Sequence, residues 1–240
     1  MTIADSIRRM SEEELARQKS WHDFWQGIYT KKEHIVWEKE ITNMGTRNLT
    51  AVFLNGEYKI AQYGQWDGYP DGAGLTCLHF LRDECNMQVF RHNVSNVTFI
   101  SEEDRTALLR EFGMRDDGTI SWKDYDRFKA SYPELHRDMG SDVLEYVYNR
   151  PTGVRLGSEI DFAADGLFCE YAWVVDFDSG TFEAYEGFNS EPLTPEDRFY
   201  FLRDKERGEH SGVKLVAKWD LNDLPSDEEF LSAFKEGESE

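Results

Sequence analysis

Polar and apolar positions follow two periods along this chain, and the places where the period changes divide it into elements. Leu49 to Leu54 is a short apolar run rich in strand formers. Tyr58 to Tyr63 returns with alternation, placing Tyr58, Ile60 and Gln62 on one face and Lys59, Ala61 and Tyr63 on the other. Between them, Asn55-Gly56 is a strong signal for a two-residue turn, because both central residues of a type I′ turn need positive φ. A hairpin is therefore predicted. It feeds a glycine-rich loop from Gly64 to Gly74. A second hairpin is predicted from Cys169 to Phe177, the turn Asp178-Ser-Gly180, and Thr181 to Phe188. Val213 to Trp219 reads as a further strand, with Val213, Leu215 and Ala217 on one side.

Helical spacing marks the rest. Ser11 and Glu14 form a capping box opening a helix to about Tyr29, on which Trp21, Phe24, Trp25 and Ile28 make one apolar stripe. A shorter helix is expected from Lys32 to Ile41. Leu75 to Phe90 reads as one helix, followed by a loop at Asn93 to Asn96. Ser101 starts a helix through Phe112, with acidic residues in its first turn where they oppose the positive dipole end. Pro133 suits the first turn of a helix reaching Tyr148, and Ser158 to Ala164 a short one. Ser226 and Glu229 form another capping box, starting a closing helix through about Lys235. Strands grouped apart from helices predict an α+β fold. Its antiparallel sheet, built from two hairpins plus a further strand, packs against several helices. The expected organisation is a helical N-terminal extension over 1–43, one α+β domain over 44–235, and an acidic tail over 236–240.

Charge changes this picture most. The 240 residues hold 27 basic and 47 acidic side chains, a net charge of −20. A phosphate backbone is repelled by such a surface, so direct nucleic-acid binding is not expected. No apolar run reaches the roughly 18 residues that a membrane span requires, and the first residues lack the apolar core of a signal peptide. Cys77, Cys85 and Cys169 make neither a disulfide framework nor a zinc spacing. A soluble, cytoplasmic protein without cofactor or metal is the expectation.

Candidate chemistry gathers at the first hairpin and its loop. Trp66 and Tyr69 suit stacking on a ligand, and Asp67 and Asp71 suit orienting a turn. The loop matches neither a dinucleotide fingerprint nor a phosphate loop, since no Gly-Lys-Ser/Thr ends it. The candidate ligand- or partner-binding residues are Arg47, Gln62, Gln65, Trp66, Asp67, Tyr69 and Glu170. Glu170, Asp176 and Glu183, with Asp67, form a weaker candidate carboxylate cluster for acid–base work. Cys77, near a predicted helix start, has no base at hydrogen-bonding spacing and reads as structural. The six histidines are scattered. Gly113 to Asp124 resembles an EF-hand loop, with Gly118 as turn glycine and Asp124 last. Gly113 and Arg115 stand where two oxygen ligands belong, which argues against calcium and favours a capped helix–turn–helix with Ser121 as N-cap.

The run from Met44 to Gly74, together with Asp161 to Asp176 and Thr181 to Phe188, resembles an uncharacterised protein family found mainly in fungi, with phage and bacterial members sharing the Met-Gly-Thr-Arg opening. The likeness covers about residues 44–235. It implies that family chains begin near Met44, in keeping with an extension over 1–43, and it carries no assigned chemistry. The leading expectation is a non-catalytic binding or interaction protein working through Gln65-Trp-Asp-Gly-Tyr-Pro70, with an unknown protein or small-molecule partner. Self-association through the Trp21, Phe24, Trp25 and Ile28 stripe is a further expectation. Two alternatives stand beside it. One is a hydrolase, carboxylate-based or of the N-terminal-nucleophile type with Thr46 freed by cleavage. The other is an acidic nucleic-acid mimic that occupies the groove of a DNA- or RNA-binding partner.

Overall fold

A computed structural model describes residues 45–136, 138–189, 191–202 and 212–234. The helices expected over 11–29 and 32–41, with the Trp21, Phe24, Trp25 and Ile28 stripe, lie outside the described residues, as does the acidic tail. The described chain divides into two compact units, residues 102–133 and residues 45–101 with 134–234.

The larger unit is built on a five-stranded sheet. Its strands are β1 (Asn48–Leu54), β2 (Glu57–Gly64), β5 (Tyr171–Asp176), β6 (Thr181–Glu186) and β7 (Lys214–Asp220), in the order β2-β1-β5-β6-β7. Two further strands, β3 (Thr98–Phe99) and β4 (Arg155–Leu156), pair in parallel as a separate two-stranded sheet. The α+β class read from the sequence is the class of the structure, and both hairpins form. Asn55 and Gly56 take φ of 57° and 80°, as the primed turn demands. The sheet is mostly antiparallel. Its one parallel pairing joins the hairpins, Asn48 opposite Tyr171 through Phe53 opposite Asp176. Parallel neighbours need a long crossover, and here the connection carries helices.

Those helices are α1 (Leu75–His79), α2 (Met87–Ser95), α3 (Glu102–Glu111), α4 (Trp122–Ser131) and α5 (Val143–Tyr148), and α6 (Asp227–Ser232) follows β7. Leu78, Phe90, Val94, Val143, Val147 and Phe230 pack with Val52, Trp173 and Phe182 into one apolar cluster on the helical side of the sheet. Burying a large apolar side chain of this kind contributes about 1.5–3 kcal/mol. A second cluster fills the other face, where Leu49, Ala51, Val174 and Tyr185 meet Ala163, Leu193, Phe199 and Val213 from irregular segments.

Several expected elements change on folding. The single helix expected over 75–90 breaks at Cys85, where the backbone turns extended, and Asn86 caps a new helix by accepting from the amides of Gln88 and Val89. That second helix runs through Asn93 to Ser95, where the sequence predicts a loop. The helix expected from Pro133 to Tyr148 is two short 3₁₀ turns, Pro133–Leu135 and Gly140–Asp142, followed by α5. Gly140 interrupts it with a φ of 54°. Strand alternation also fails at two bulges. Val52 faces Ile60 while Phe53 faces Tyr58, so Tyr58 leaves the face of Ile60 and Gln62 and stacks with Phe199 on the other side. Likewise Ala184 faces Ala217 while Tyr185 faces Leu215, so Leu215 and Ala217 do not share a side.

The smaller unit is a helix–loop–helix of α3 and α4. Phe112, Phe128 and Tyr132 meet edge-on and tilted, with centroids 5.6–6.0 Å apart. Ser121 caps α4 by accepting from the Asp124 amide, as its position before the helix predicts. The Asp117 carboxylate accepts from the amide and hydroxyl of Thr119, closing the loop on itself. Among all described residues, no helix is long and apolar enough to cross a membrane.

Candidate functional site

The glycine-rich loop leaves β2 and doubles back over the start of β1. The Gly68 amide donates to the Thr46 carbonyl at 2.9 Å, and the Ala73 amide to the Asp67 carbonyl at 2.7 Å. The Gly72 and Gly74 amides both donate to the Tyr69 carbonyl. These bonds hold Asp67 at a φ of 52°, a conformation that Asp tolerates better than most residues. A β-carbon on Gly68 would lie 2.6 Å from the Thr46 carbonyl oxygen, so only glycine permits this approach. The loop is thereby rigid where it touches β1 and exposed at its crown. Trp66 is 60% exposed and Tyr69 51%, large values for aromatic rings in a folded unit.

Beside this crown lies a cleft of about 580 Å³, within the usual range for a small-ligand site. One wall is the loop, with Trp66, Asp67, Tyr69 and Asp71. The other is the turn Asp138 to Asp142. The walls meet where Gly64 packs against Gly140. A β-carbon on Gly64 would stand 3.0 Å from the Gly140 α-carbon. Asn48 lines the floor. Its Nδ2 lies 3.5 Å from both the Gly64 and the Trp66 carbonyl oxygens. Its Oδ1, on a side chain only 1% exposed, has no hydrogen-bond donor from the protein. Nothing in its sequence context distinguishes Asn48 from any other hairpin residue.

Of the residues singled out from the sequence, Trp66, Asp67 and Tyr69 meet at this cleft. Arg47, Gln62, Gln65 and Glu170 do not line it. Arg47 and Glu170 hold each other instead. The Arg47 amide donates to Glu170 Oε1 at 3.2 Å, its Nε lies 3.8 Å from the same oxygen, and its guanidinium covers the Phe168 ring at 4.3 Å. Burial raises the Glu170 carboxyl above its usual value, and the Arg47 charge only partly opposes this. Gln62 is buried and donates to the Tyr63 and His136 carbonyls, linking β2 to the segment that leads into the second wall. Gln65 accepts from the Tyr63 hydroxyl at 2.5 Å.

The carboxylate cluster proposed from the sequence does not assemble. Asp176 and Glu183 face away from the cleft and clamp Arg198. The Arg198 Nε donates to Glu183 Oε2 at 2.8 Å and to the Tyr185 hydroxyl at 3.1 Å, and its Nη2 donates to Asp176 and Glu183. Burial pushes the Asp176 carboxyl up, but bonds from Arg198 and from the Ser179 and Asp178 amides hold it below the ordinary carboxylate range. This cluster belongs to packing. Thr46 is 1% exposed, its hydroxyl is without a protein partner, and it does not line the cleft. Burial pushes the Cys77 thiol up to about 12, so it is not a ready nucleophile.

Among the described residues, no three His, Cys, Asp or Glu side chains are grouped for a metal ion. Comparison of the chain with protein-family models, with curated proteins and with solved structures finds no match.

Proposed function

We propose that this protein is a non-catalytic binding protein whose recognition surface is the Gln65-Trp-Asp-Gly-Tyr-Pro70 loop and the cleft beside it. The observation that carries the reading is the pairing of two exposed aromatic rings with a backbone-anchored loop at the mouth of a cleft. Exposed aromatics are costly to leave in water, and they concentrate at surfaces that recognise ligands. A loop already fixed by four backbone bonds loses little conformational freedom on binding. A hydrolytic reading has less support. The Thr46 hydroxyl is buried away from the cleft, and Asp176 and Glu183 are committed to Arg198. The nucleic-acid-mimic reading rests on net charge alone.

Replacing both Trp66 and Tyr69 with alanine tests the reading. Exposed side chains change stability by roughly 0.5 kcal/mol or less when truncated. The double variant is expected to unfold like the parent while losing ligand capture, measured by ligand-observed NMR against a fragment set. Capture that survives both substitutions removes the loop from the function.

A further inference from the structure

The smaller unit is closed more fully than its own residues explain. It consists of two ten-residue helices and the loop between them. Domains under about 40 residues rarely bury a core unaided. Yet Ile120 and Phe128 are each 1% exposed, and neither belongs to the apolar clusters of the larger unit. Phe128 meets the rings of Phe112, Tyr125 and Tyr132, each itself half-buried. Further chain is needed to complete the cover. Of the stretches outside the described residues, 203–211 and 235–240 hold no apolar side chain, whereas 1–44 hold Trp21, Phe24, Trp25, Ile28, Tyr29 and Trp37 among others.

An internal likeness picks out the part of 1–44 that fits. Ser101-Glu-Glu-Asp104 opens α3, and Ser11-Glu-Glu-Glu14 matches it. Beyond it, Phe112, Gly118, Ile120, Ser121, Asp124 and Phe128 are spaced as are Trp21, Gly27, Tyr29, Thr30, Glu33 and Trp37, with one residue fewer between Ser11 and the first ring. The matched positions have physical roles in the described copy. Gly118 turns the loop with a φ of 79°. Ser121 accepts from the Asp124 amide to start α4, and its hydroxyl donates to the Asp124 carboxylate. The Phe112 and Phe128 rings meet edge-on with centroids 5.6 Å apart. We infer that residues 11–37 are a diverged second copy of this helix–loop–helix, and that the two copies of one chain pack together, with the rings of Trp21, Tyr29 and Trp37 covering Ile120 and Phe128. A repeat of this size cannot bury its apolar face alone, and a stacked neighbour supplies the missing side. Calcium does not hold the pair. The first, third and fifth loop positions are His22, Phe24 and Gln26 in one copy and Gly113, Arg115 and Asp117 in the other, so neither set offers more than one oxygen-bearing side chain. The pairing stands whether or not the glycine-rich loop binds a ligand.

The test is NMR and amide hydrogen exchange on the full chain. With isoleucine methyls labelled, NOEs are expected from Ile120 to ring protons of Tyr29 or Trp37. Trp37→Ala is expected to speed exchange along α4 by about tenfold or more, as the loss of one buried ring should, while β1 and β5 keep their protection. Trp122→Ala removes a ring that is 66% exposed, and exchange along α4 is expected to stay within about twofold. Ile120 NOEs that reach no residue of 11–37 overturn the inference, as does exchange that Trp37→Ala leaves unchanged or that both variants speed equally. A mixture of labelled and unlabelled chains tests a second copy as the source of the cover. NOEs from Ile120 that cross between chains overturn the pairing within one chain.

Discussion

Two groups of carboxylates in the larger unit are handled in opposite ways. On the face covered by irregular segments, Asp176 and Glu183 are almost wholly buried, and the protein supplies their counter-charge through Arg198 and a donor through the Tyr185 hydroxyl. Beside the glycine-rich loop, Asp67, Asp71 and Asp142 are exposed at an open cleft that no described lysine or arginine lines. Buried charge without a partner is too costly to keep, so the first group closed on itself. Charge facing water carries little such cost, so the second group could remain open. The same residue type is thus structural in one place and exposed in the other, and the difference lies in burial.

The largest expected effect breaks the closed group. Arg198→Met leaves two buried carboxylates unopposed, and a loss of about 3–5 kcal/mol is expected from denaturant unfolding. A loss under 1 kcal/mol would mean that water reaches the network. Next comes Gly68→Ala, which forces a methyl against the Thr46 carbonyl and the Asn48 side chain. Overpacking of this kind costs about 1–3 kcal/mol, and it should also disturb the loop, so capture falls with stability.

Acid sharpens the comparison further. Asp176 has a folded pKa below its ordinary value of 3.8. Its contribution is therefore fully present above that value and is lost as pH falls through the lower folded value. Glu170 shifts the other way, raised above 4.5 by burial, so its ionisation costs stability as pH rises through that window, and acid relieves the cost. Parent and Arg198→Met are expected to converge in stability as pH drops below about 4, followed by circular dichroism. Parallel curves would detach Asp176 from Arg198. The smallest effect belongs to the open group. Asp71→Asn with Asp142→Asn should change stability by roughly 0.5 kcal/mol or less, because the side chains are exposed. A large loss would show that these carboxylates are structural after all.

Part of this was visible in the residues alone. Asn55-Gly56 dictates its turn through φ, Ser226 and Glu229 close the predicted capping box, and Ser121 caps α4, because each acts over four residues or fewer. Trp66, Asp67 and Tyr69, which line the cleft, were legible as candidates because an aromatic pair in a glycine-rich loop has few packing roles. Arg47 and Glu170 carry ligand-binding chemistry, yet they pair with each other across 123 residues. The bulges after Val52 and Ala184 were invisible, since an extra residue leaves the local pattern intact and shifts only the partner.

By itself, the order of apolar and polar positions determined the α+β class, the two hairpins and the crown of the loop, because propensity, turn chemistry and periodicity are local. Tertiary structure alone decided that β1 lies parallel to β5, that Arg198 answers Asp176 and Glu183, and that Asp138 to Asp142 faces the loop across the Gly64–Gly140 contact. Pairings between distant segments depend on which surfaces bury best together, and that quantity exists only once the chain has closed on itself.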